Sequence, residues 1–370
     1  MKKSLLAGIV FAALIACAGA AEKSEPAKSA EVVNSEKAPK AVKKKTAKKV
    51  AKKAKSAEDV PTKEITYLCS YDNSQQPALI LVAKSKEPRP LFVTLHTWSS
   101  TYKQCRSSYA GNLVKHDVYM IAPNFRGNNL SGNKLSMGSD AAISDILDAV
   151  KYMQKNYNID NSRIYLIGGS GGGFMSLLTS SRSRDIWAGV SSWCPISDLV
   201  AWHDYYDKMP NAKKSYGLHI EKNIGNPKKE KGAEAEAIHR SPVTHLEGVT
   251  YPLDISHGVF DRVVPVEHAV WAFNKVAAPK DRFTEAEIEA IKNIYKTRKT
   301  PAGFPEVTEK FGKYKIYVRR VSGNVRINLF HAGHSILGGT GVQWLLKQQK
   351  GKPADFSKIN SNESSAALGR

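Results

Sequence analysis

The most informative stretch of this 370-residue chain is Arg163-Ile-Tyr-Leu-Ile-Gly-Gly-Ser-Gly-Gly-Gly-Phe174. Its first part, Arg163–Ile167, is an apolar, partly β-branched run that predicts a buried strand, and Phe174 begins a predicted helix. Between them, Gly168–Gly172 form a G-x-S-x-G motif in the strand–turn–helix context that this motif requires. A phosphate-binding loop would instead need Lys and then Ser or Thr after its last glycine. We therefore predict that Ser170 is a nucleophile held at a sharp turn.

A nucleophilic serine needs a base, and the base needs a carboxylate that orients it. In folds with this turn the three residues follow in the order Ser, Asp or Glu, His. Downstream of Ser170, a predicted strand at Leu253–Ser256 ends in a loop that contains Asp261. Asp261 is the predicted acid, because Asp254 inside the strand and Asp198 better fit ion-pair or turn roles.

The predicted base follows the last strand-like run, Val325–Phe330. Two histidines compete for this role, His331 and His334. Gly333 gives His334 the freedom of a tight loop, so His334 is the predicted base and His331 is a candidate substrate contact. His257, at the end of an earlier strand, is expected to form structural hydrogen bonds.

Acyl transfer also needs donors that stabilise the oxyanion. The backbone N–H of Gly171, directly after the nucleophile, is predicted to be one of them. The other is expected in the loop after Leu91–Leu95, from the backbone N–H of Trp98 or Thr97. A packed aromatic wall is the other interpretation of Trp98, and it is compatible with this role.

Strand-like and helical patterns alternate from residue 64 onward. The helical pattern is clearest over Gly138–Tyr157, where apolar residues recur with a period of 3.6. This alternation predicts an α/β fold with a mostly parallel central sheet and helices on both faces, preceded by an antiparallel hairpin. The strand-like runs are Ile65–Leu68, Ala78–Ala83, Leu91–Leu95, Val118–Ala122, Ile164–Ile167, Trp187–Trp193, Leu253–Ser256 and Val325–Phe330.

Two segments interrupt the alternation. Residues 199–245 are polar and aromatic, and they predict a cap inserted above the sheet. Trp202 in this cap is a candidate substrate contact, and the alternative is that it packs the cap onto the core. The second segment, Phe283–Lys299, predicts an amphipathic helix that serves packing.

The N-terminus has the pattern of an export signal over residues 1–20. Lys2 and Lys3 precede an apolar run, and small residues follow it. Cleavage after Ala20 is one interpretation. The alternative is a lipoprotein signal in which Cys17 is lipidated and attaches the protein to a membrane. Either interpretation predicts an exported protein, which is periplasmic, secreted or a membrane-anchored lipoprotein.

Much of the net charge of +21 lies in one segment. Ten lysines and no acidic residue lie between Lys37 and Lys55. Because like charges repel each other, residues 21–63 are predicted to be a disordered linker. This linker is either a spacer or a tether to anionic groups of the cell surface. Export argues against a nucleic-acid partner, and residues 351–370 are expected to form a flexible tail.

Cysteine and metal chemistry are limited by the sequence. If Cys17 is removed or lipidated, the remaining Cys69, Cys105 and Cys194 allow at most one intramolecular disulfide. No set of His, Cys and carboxylate residues has the spacing of a metal site. We therefore expect neither a metal nor a cofactor, and the oligomeric state stays open.

With these motifs identified, residues 64–350 resemble the catalytic domain of the prolyl oligopeptidase-like α/β-hydrolases. The matching pieces are Ala122–Gly127, Gly168–Gly172, Ser241–Thr244, His257–Pro265 and Gly333-His334. The resemblance implies the α/β-hydrolase fold and a serine hydrolase that forms an acyl-enzyme. Ser170 would then attack an acyl carbon, His334 would transfer the proton, and Asp261 would orient the imidazole.

Two departures from the family pattern affect the expected substrate. Family peptidases carry an N-terminal β-propeller that residues 21–63 cannot form, and His96-Thr97 replaces the usual His-Gly. Single-domain exported relatives are often esterases, including some that deacylate plant polysaccharides. The resemblance therefore favours hydrolysis of a carboxylic ester, either small or linked to a polysaccharide. A serine peptidase acting on peptides is the alternative, and a non-catalytic surface-binding protein is the third hypothesis.

Overall fold

A computed structural model describes residues 60–210 and 215–359, and a ten-stranded sheet lies at the centre of these residues. The strands are β1 (Thr62–Leu68), β2 (Gln75–Leu81), β3 (Arg89–Leu95), β4 (Tyr119–Pro123), β5 (Ile159–Gly169), β6 (Gly189–Trp193), β7 (Leu253–Gly258), β8 (Lys310–Phe311), β9 (Tyr314–Ser322) and β10 (Val325–Phe330). Their order across the sheet is β1-β2-β4-β3-β5-β6-β7-β10-β9-β8.

The centre of the sheet is parallel and its edges are antiparallel. The six neighbouring strands β4, β3, β5, β6, β7 and β10 pair in parallel. At one edge, β1 and β2 form the predicted antiparallel hairpin, and β2 joins the sheet antiparallel to β4. Because parallel strands end at a common edge, the loops that follow β3, β5, β7 and β10 meet there.

Helices cover both faces of this sheet. The helices are α1 (Gly111–Leu113), α2 (Asp140–Asn156), α3 (Gly171–Arg182), α4 (Leu199–Asp207), α5 (Ser215–Ile224), α6 (Lys231–His239), α7 (Glu267–Val276), α8 (Glu285–Lys292), α9 (Ile294–Thr297) and α10 (Gly338–Leu345). Successive side chains of β5 point to opposite faces of the sheet. Leu166 packs in the cluster that holds α2, α3 and α7, whereas Tyr165 packs with Trp344 of α10. The predicted fold class, an α/β-hydrolase fold, is therefore confirmed.

The predicted cap consists of α4, α5 and α6, inserted between β6 and β7. Asp198 caps α4, because its side chain accepts a hydrogen bond from the N–H of Ala201 at 3.0 Å. Tyr206 and Trp202 of α4 are buried, and the ring of Trp202 meets the rings of Tyr206 and Trp98 edge to face. The cap is thus attached through aromatic packing.

The second insertion is two helices where the sequence predicts one. A capping box between Thr284 and Glu287 starts α8, and Asn293 then separates α8 from α9. Arg298 ends α9 in the left-handed region, with a φ of 57°. The antiparallel strand β9 that follows is absent from the predicted strands, because its run of Lys and Arg hides the alternation of a half-buried strand.

The predicted boundaries of the domain need correction at both ends. The first strand begins at Thr62, inside the segment predicted as linker. At the other end, the segment predicted as a flexible tail packs on α10 as far as Ile359. The ring of Phe356 stacks on Trp344 with centroids 6.0 Å apart. The export signal, the Lys37–Lys55 run and residues 360–370 lie outside the described residues.

No helix within residues 60–210 and 215–359 has the length and apolar character needed to cross a bilayer. The three cysteines in these ranges, Cys69, Cys105 and Cys194, are buried free thiols. Burial raises the pKa of the Cys105 thiol to about 12. Cys105 therefore packs as a small apolar side chain, and no disulfide joins the three cysteines of the described ranges.

Candidate active site

Ser170 lies at the turn between β5 and α3. Its backbone has a φ of 55° and a ψ of −121°, a conformation that only a constrained turn imposes on a serine. The N–H of Ser170 donates to the carbonyl of Trp193 on β6 at 2.8 Å. Strong local packing therefore holds Ser170 in a strained geometry at the carboxyl edge of the sheet.

The glycines around Ser170 are required by close backbone contacts. A Cβ on Gly168 would lie 2.2 Å from the carbonyl oxygen of Gly172, and one on Gly172 would lie 2.5 Å from that of Leu95. A Cβ on Gly173 would lie 2.7 Å from the carbonyl oxygen of Trp193. Each position thus excludes any side chain, which explains the run of glycines in physical terms.

Asp261 and His334 are hydrogen-bonded to each other. Nδ1 of His334 lies 2.6 Å from Oδ2 of Asp261, a distance typical of a charge-assisted hydrogen bond. The loops that carry them are joined, because the N–H of Phe260 donates to the carbonyl of Ala332 at 2.9 Å. The parallel pairing of β7 with β10 therefore brings the predicted acid to the predicted base.

The loop carrying His334 also packs against the turn that carries Ser170. Ile336, two residues after His334, is so close to the turn that a Cβ on Gly169 would lie 2.4 Å from its side chain. Ser170, Asp261 and His334 thus meet at one edge, in the chain order that the sequence predicts. Because Nδ1 of His334 is bound to Asp261, Nε2 is the nitrogen left for the serine.

The environment of Asp261 keeps it ionised. Burial by itself raises the pKa of this carboxyl group, but hydrogen bonds from His257 and His334 outweigh burial and hold the pKa well below its usual range. Oδ1 accepts from the N–H groups of Val263 at 2.8 Å and Val264 at 3.0 Å. A fixed carboxylate of this kind orients the imidazole and stabilises its protonated form.

His257 has a closer relation to the site than the sequence predicts. Its Nε2 lies 3.2 Å from Oδ2 of Asp261 and 3.0 Å from the carbonyl oxygen of Val264. Asp261 therefore has a second histidine beside it, in addition to His334. The signal in the sequence is the spacing of four residues between His257 at the end of β7 and Asp261 in the loop that follows.

One group of side chains has the chemistry of metal ligands. Ligand atoms of Cys194, His257 and Asp261 lie within 4.8 Å of one another, although the sequence spacing does not suggest it. Burial raises the pKa of the Cys194 thiol well above its usual value, and the charge of Asp261 adds to this effect. A thiol must lose its proton to bind a metal, so this group suits hydrogen bonding around Asp261 better than metal binding.

The two predicted oxyanion donors are neighbours. A Cβ on Gly171 would lie 2.4 Å from the backbone nitrogen of Trp98. The alternative donor, the N–H of Thr97, is bonded to Oε1 of Gln104 at 2.9 Å. Gly171 is the first residue of α3, so its N–H has no acceptor within the helix. Of the two candidates, Trp98 is therefore the one that suits an oxyanion hole with Gly171.

His96 supports the loop that carries Trp98. Its two ring nitrogens lie 2.9 Å from the carbonyl oxygen of Thr97 and 3.1 Å from that of Asn124. The ring also stacks on Phe125, with centroids 3.9 Å apart. Burial lowers the pKa of His96, so the neutral form is favoured. His96 thus ties the oxyanion loop to the turn after β4.

The two candidate substrate contacts have different environments. Trp202 is fully buried, and its indole N–H donates to the carbonyl of Val263 at 2.9 Å. Its ring meets Trp98 edge to face, with centroids 4.8 Å apart. The expectation of a substrate contact at Trp202 is therefore replaced by the alternative, cap packing. His331 is exposed, with Nδ1 2.6 Å from the hydroxyl of Tyr317.

Comparison with known proteins relates this chain to both peptidases and esterases. It is 28% identical over 152 residues to "Uncharacterized peptidase YtmA" of Bacillus subtilis (strain 168), covering 40% of this chain and 54% of that protein. It is 26% identical over 156 residues to "Acetylxylan esterase" of Coprinopsis cinerea, covering 37% and 42%. The chain thus spans about half the length of these curated relatives.

Among solved structures, acylaminoacyl peptidase of Pyrococcus horikoshii is similar with a TM-score of 0.46 and 18% identity, covering 57% of this chain and 34% of that chain. The sequence profile of the prolyl oligopeptidase family matches residues 106–290, which is half of the chain. The matched span contains Ser170 and Asp261, and His334 follows it. The chain therefore belongs to the prolyl oligopeptidase family, a family of serine hydrolases.

Proposed function

We propose that the protein is an exported carboxylic-ester hydrolase that forms an acyl-enzyme on Ser170. The observation that carries this proposal is the 2.6 Å contact between His334 and Asp261 at the edge of the sheet where Ser170 lies. The backbone N–H groups of Gly171 and Trp98, which are neighbours, supply the oxyanion donors that acyl transfer also requires.

In this proposal, Oγ of Ser170 attacks the acyl carbon while Nε2 of His334 accepts the serine proton. Asp261 stays ionised and stabilises the imidazolium. The N–H groups of Gly171 and Trp98 donate to the oxyanion of the tetrahedral intermediate. His334 then protonates the departing alcohol oxygen, and water repeats the sequence to release the acid and free Ser170.

Two considerations favour an ester over an amide. An amine leaves only when it is protonated in a well-placed geometry, whereas an ester needs less assistance from His334. The similarity to an acetylxylan esterase adds weight to a carbohydrate acyl ester as the substrate. Both considerations concern the leaving group and the acyl group, and neither depends on the cap.

A panel of substrates tests this proposal. We expect kcat/KM for the best small ester, among acetyl, feruloyl and methyl esters, to exceed that for any aminoacyl or prolyl 4-nitroanilide by roughly 100-fold or more. That ratio corresponds to about 2.7 kcal/mol of transition-state stabilisation. The Ser170→Ala protein is the control for contaminating activity. Efficient cleavage of a proline-containing peptide, with poor turnover of all esters, would contradict the proposal.

A serine peptidase is the second candidate function. The family match and the similarity to a protein named as a peptidase favour it. Peptidase activity would use the same nucleophile, base and acid, so the anilide arm of the panel measures it directly.

Export and surface attachment are the second part of the proposal. The pattern of residues 1–20 supports export, and the lysines between Lys37 and Lys55 suit attraction to an anionic surface. Fractionation of cells that express the full chain tests export, and the mass of the mature N-terminus distinguishes cleavage after Ala20 from lipidation at Cys17.

Deleting residues 21–59 should weaken binding to anionic surfaces in a salt-dependent way and leave kcat on a small ester unchanged.

A further inference from the structure

A cluster of aromatic and cationic side chains surrounds the loop that carries Asp261. We refer to it as the acid-loop patch, and its members are Phe260, Arg262, Tyr295, Arg298, Tyr317 and His331. Four of them, including both arginines, are exposed to solvent. Four segments contribute to the patch: the loop after β7, the loop after β10, strand β9, and the inserted helix α9 with the residue that ends it.

The aromatic rings of the patch hold the two arginines in place. The guanidinium carbon of Arg298 lies 3.8 Å from the ring centroid of Phe260 and 5.5 Å from that of Tyr295. Nη2 of Arg262 donates to the hydroxyl of Tyr295. A guanidinium that lies over a ring keeps its in-plane N–H donors available for a carboxylate. The patch therefore presents positioned cations beside flat apolar faces.

These two arginines differ from most of the arginines in the described residues, which form ion pairs with carboxylates. Paired arginines include Arg89, Arg126, Arg163, Arg182, Arg240, Arg319, Arg320 and Arg326. Among residues 60–210 and 215–359, no ion pair with a carboxylate is formed by Arg262 or Arg298. Lys315, with Nζ 5.5 Å from the Tyr317 ring centroid, adds a third positive charge.

The order of the strands places the loops of the patch on the same side of Ser170 as His334, because β7 and β10 both lie beyond β6 from β5. His334 must reach the oxygen of the departing alcohol to protonate it. His331 lies three residues before His334, and Phe260 directly precedes Asp261. The proposed oxyanion donor Trp98 follows β3, which lies on the opposite side of β5 from β7 and β10. The alcohol part of an ester is therefore the part that approaches the patch.

We propose that the acid-loop patch is a binding subsite for a carboxylate on the alcohol part of the ester substrate. This inference rests on the proposed ester hydrolysis. Its substrate class is acyl esters of acidic alcohols, such as a hydroxyl-linked acyl group on a carbohydrate that contains a uronic acid. The arginines bind the carboxylate, and the rings of Phe260 and Tyr295 contact the ring that carries it.

The test compares 4-acetoxybenzoate with 4-acetoxybenzamide, two esters that have the same acyl group and differ in the charge of the alcohol part. We take the ratio of kcat/KM for the acid over the amide at low ionic strength. Arg298→Gln should lower this ratio about tenfold, equivalent to about 1.4 kcal/mol, and Arg298→Lys should lower it less. Arg262→Gln should act in the same direction. In the unmodified protein, 0.5 M NaCl should also lower the ratio.

Arg89→Gln is the matched control, because it removes one positive charge at the start of β3, at the amino ends of the parallel strands, whereas the active site lies at their carboxyl ends. This variant should keep the ratio of the unmodified protein. If Arg298→Gln leaves the ratio unchanged, or if Arg89→Gln lowers it equally, the subsite is refuted while ester hydrolysis stands. If neither ester is hydrolysed, the proposed function fails, and the subsite fails with it.

Discussion

The turn around Ser170 and the acid-loop patch lie at the same edge of the sheet, but they are built in different ways. The turn is shaped by backbone: glycines at 168, 172 and 173 meet carbonyl oxygens at distances that leave no room for a Cβ. The patch is made of side chains on loops and on an insertion, and several of them are exposed. Chemistry is thus fixed by backbone packing, whereas selectivity is left to side chains that can change without disturbing the core.

The largest effect should come from removing the nucleophile in the turn. Ser170→Ala is expected to lower kcat on a small ester by about 10⁶, as loss of a catalytic serine typically does, without loss of the fold. Ser162→Ala, on the same strand but near its other end, is the matched control and should retain activity. Turnover by the Ser170→Ala protein above a trace would contradict the assignment.

The loop after β10 contributes one histidine to each region: His334 lies beside the turn of Ser170, and His331 belongs to the acid-loop patch. His334→Ala should lower kcat by about 10⁵ or more, because Nε2 of His334 is the proposed base for Ser170. His331→Ala should lower kcat on a neutral ester by less than about tenfold, because His331 contacts Tyr317 and Phe260 rather than Asp261. Equal losses would leave the base unassigned, and the reverse order would refute His334.

Stability should also distinguish the backbone-built turn from the patch. In Gly172→Ala, the new Cβ would lie 2.5 Å from the carbonyl oxygen of Leu95, so the free energy of unfolding should fall by about 1–3 kcal/mol or more. His331→Ala, at an exposed position, should change it by less than about 0.5 kcal/mol. Thermal unfolding of both variants measures the difference, and equal melting temperatures would show that the turn tolerates a side chain.

The last prediction concerns pH and α7, the helix that follows the acid loop. Burial lowers the pKa of His268 on α7 to about 3, whereas an unfolded histidine titrates near about 6.5. Between these values the unfolded chain binds a proton that the native protein does not bind. The contribution of His268 to stability is therefore complete above about pH 6.5 and is lost progressively as the pH falls toward about 3.

His268→Gln removes this titration. Its free energy of unfolding, measured in urea between pH 7 and 4, should fall less steeply with decreasing pH than that of the unmodified protein. His239→Gln is the control, because His239 lies on the surface of α6, and it should keep the original slope. Identical slopes in all three proteins would show that His268 does not contribute.

The sequence predicts those parts of the fold and the site that depend on short motifs and on the order of strands along the chain. The glycines around Ser170 and the strand ends before Asp261 and His334 are visible as short motifs, and the central strands appear as apolar runs. The Asp261–His257 contact follows from a spacing of four residues between the end of β7 and the next loop, whereas the Asp261–His334 contact depends on the pairing of β7 with β10. Motifs of this kind predict the local backbone arrangement. They do not predict which side chains from distant segments contact each other.

The remaining features depend on tertiary packing. Trp202 is of a residue type that often contacts ligands, but its ring is buried against Trp98 and its N–H is bonded to the carbonyl of Val263. Strand β9 contains charged residues that pair with distant acids, such as Arg319 with Glu309. The acid-loop patch combines four separate segments of the chain. No local pattern in the sequence reports contacts of this kind.

The central claim is that Ser170 is an activated nucleophile, and a fluorophosphonate probe tests it most directly. The probe forms a covalent bond with a serine that has a working base and oxyanion donors. We predict stoichiometric labelling of the purified protein, with the adduct on the peptide that contains Ser170 and no labelling of the Ser170→Ala protein. Absence of labelling, or an adduct on another serine, would contradict the account.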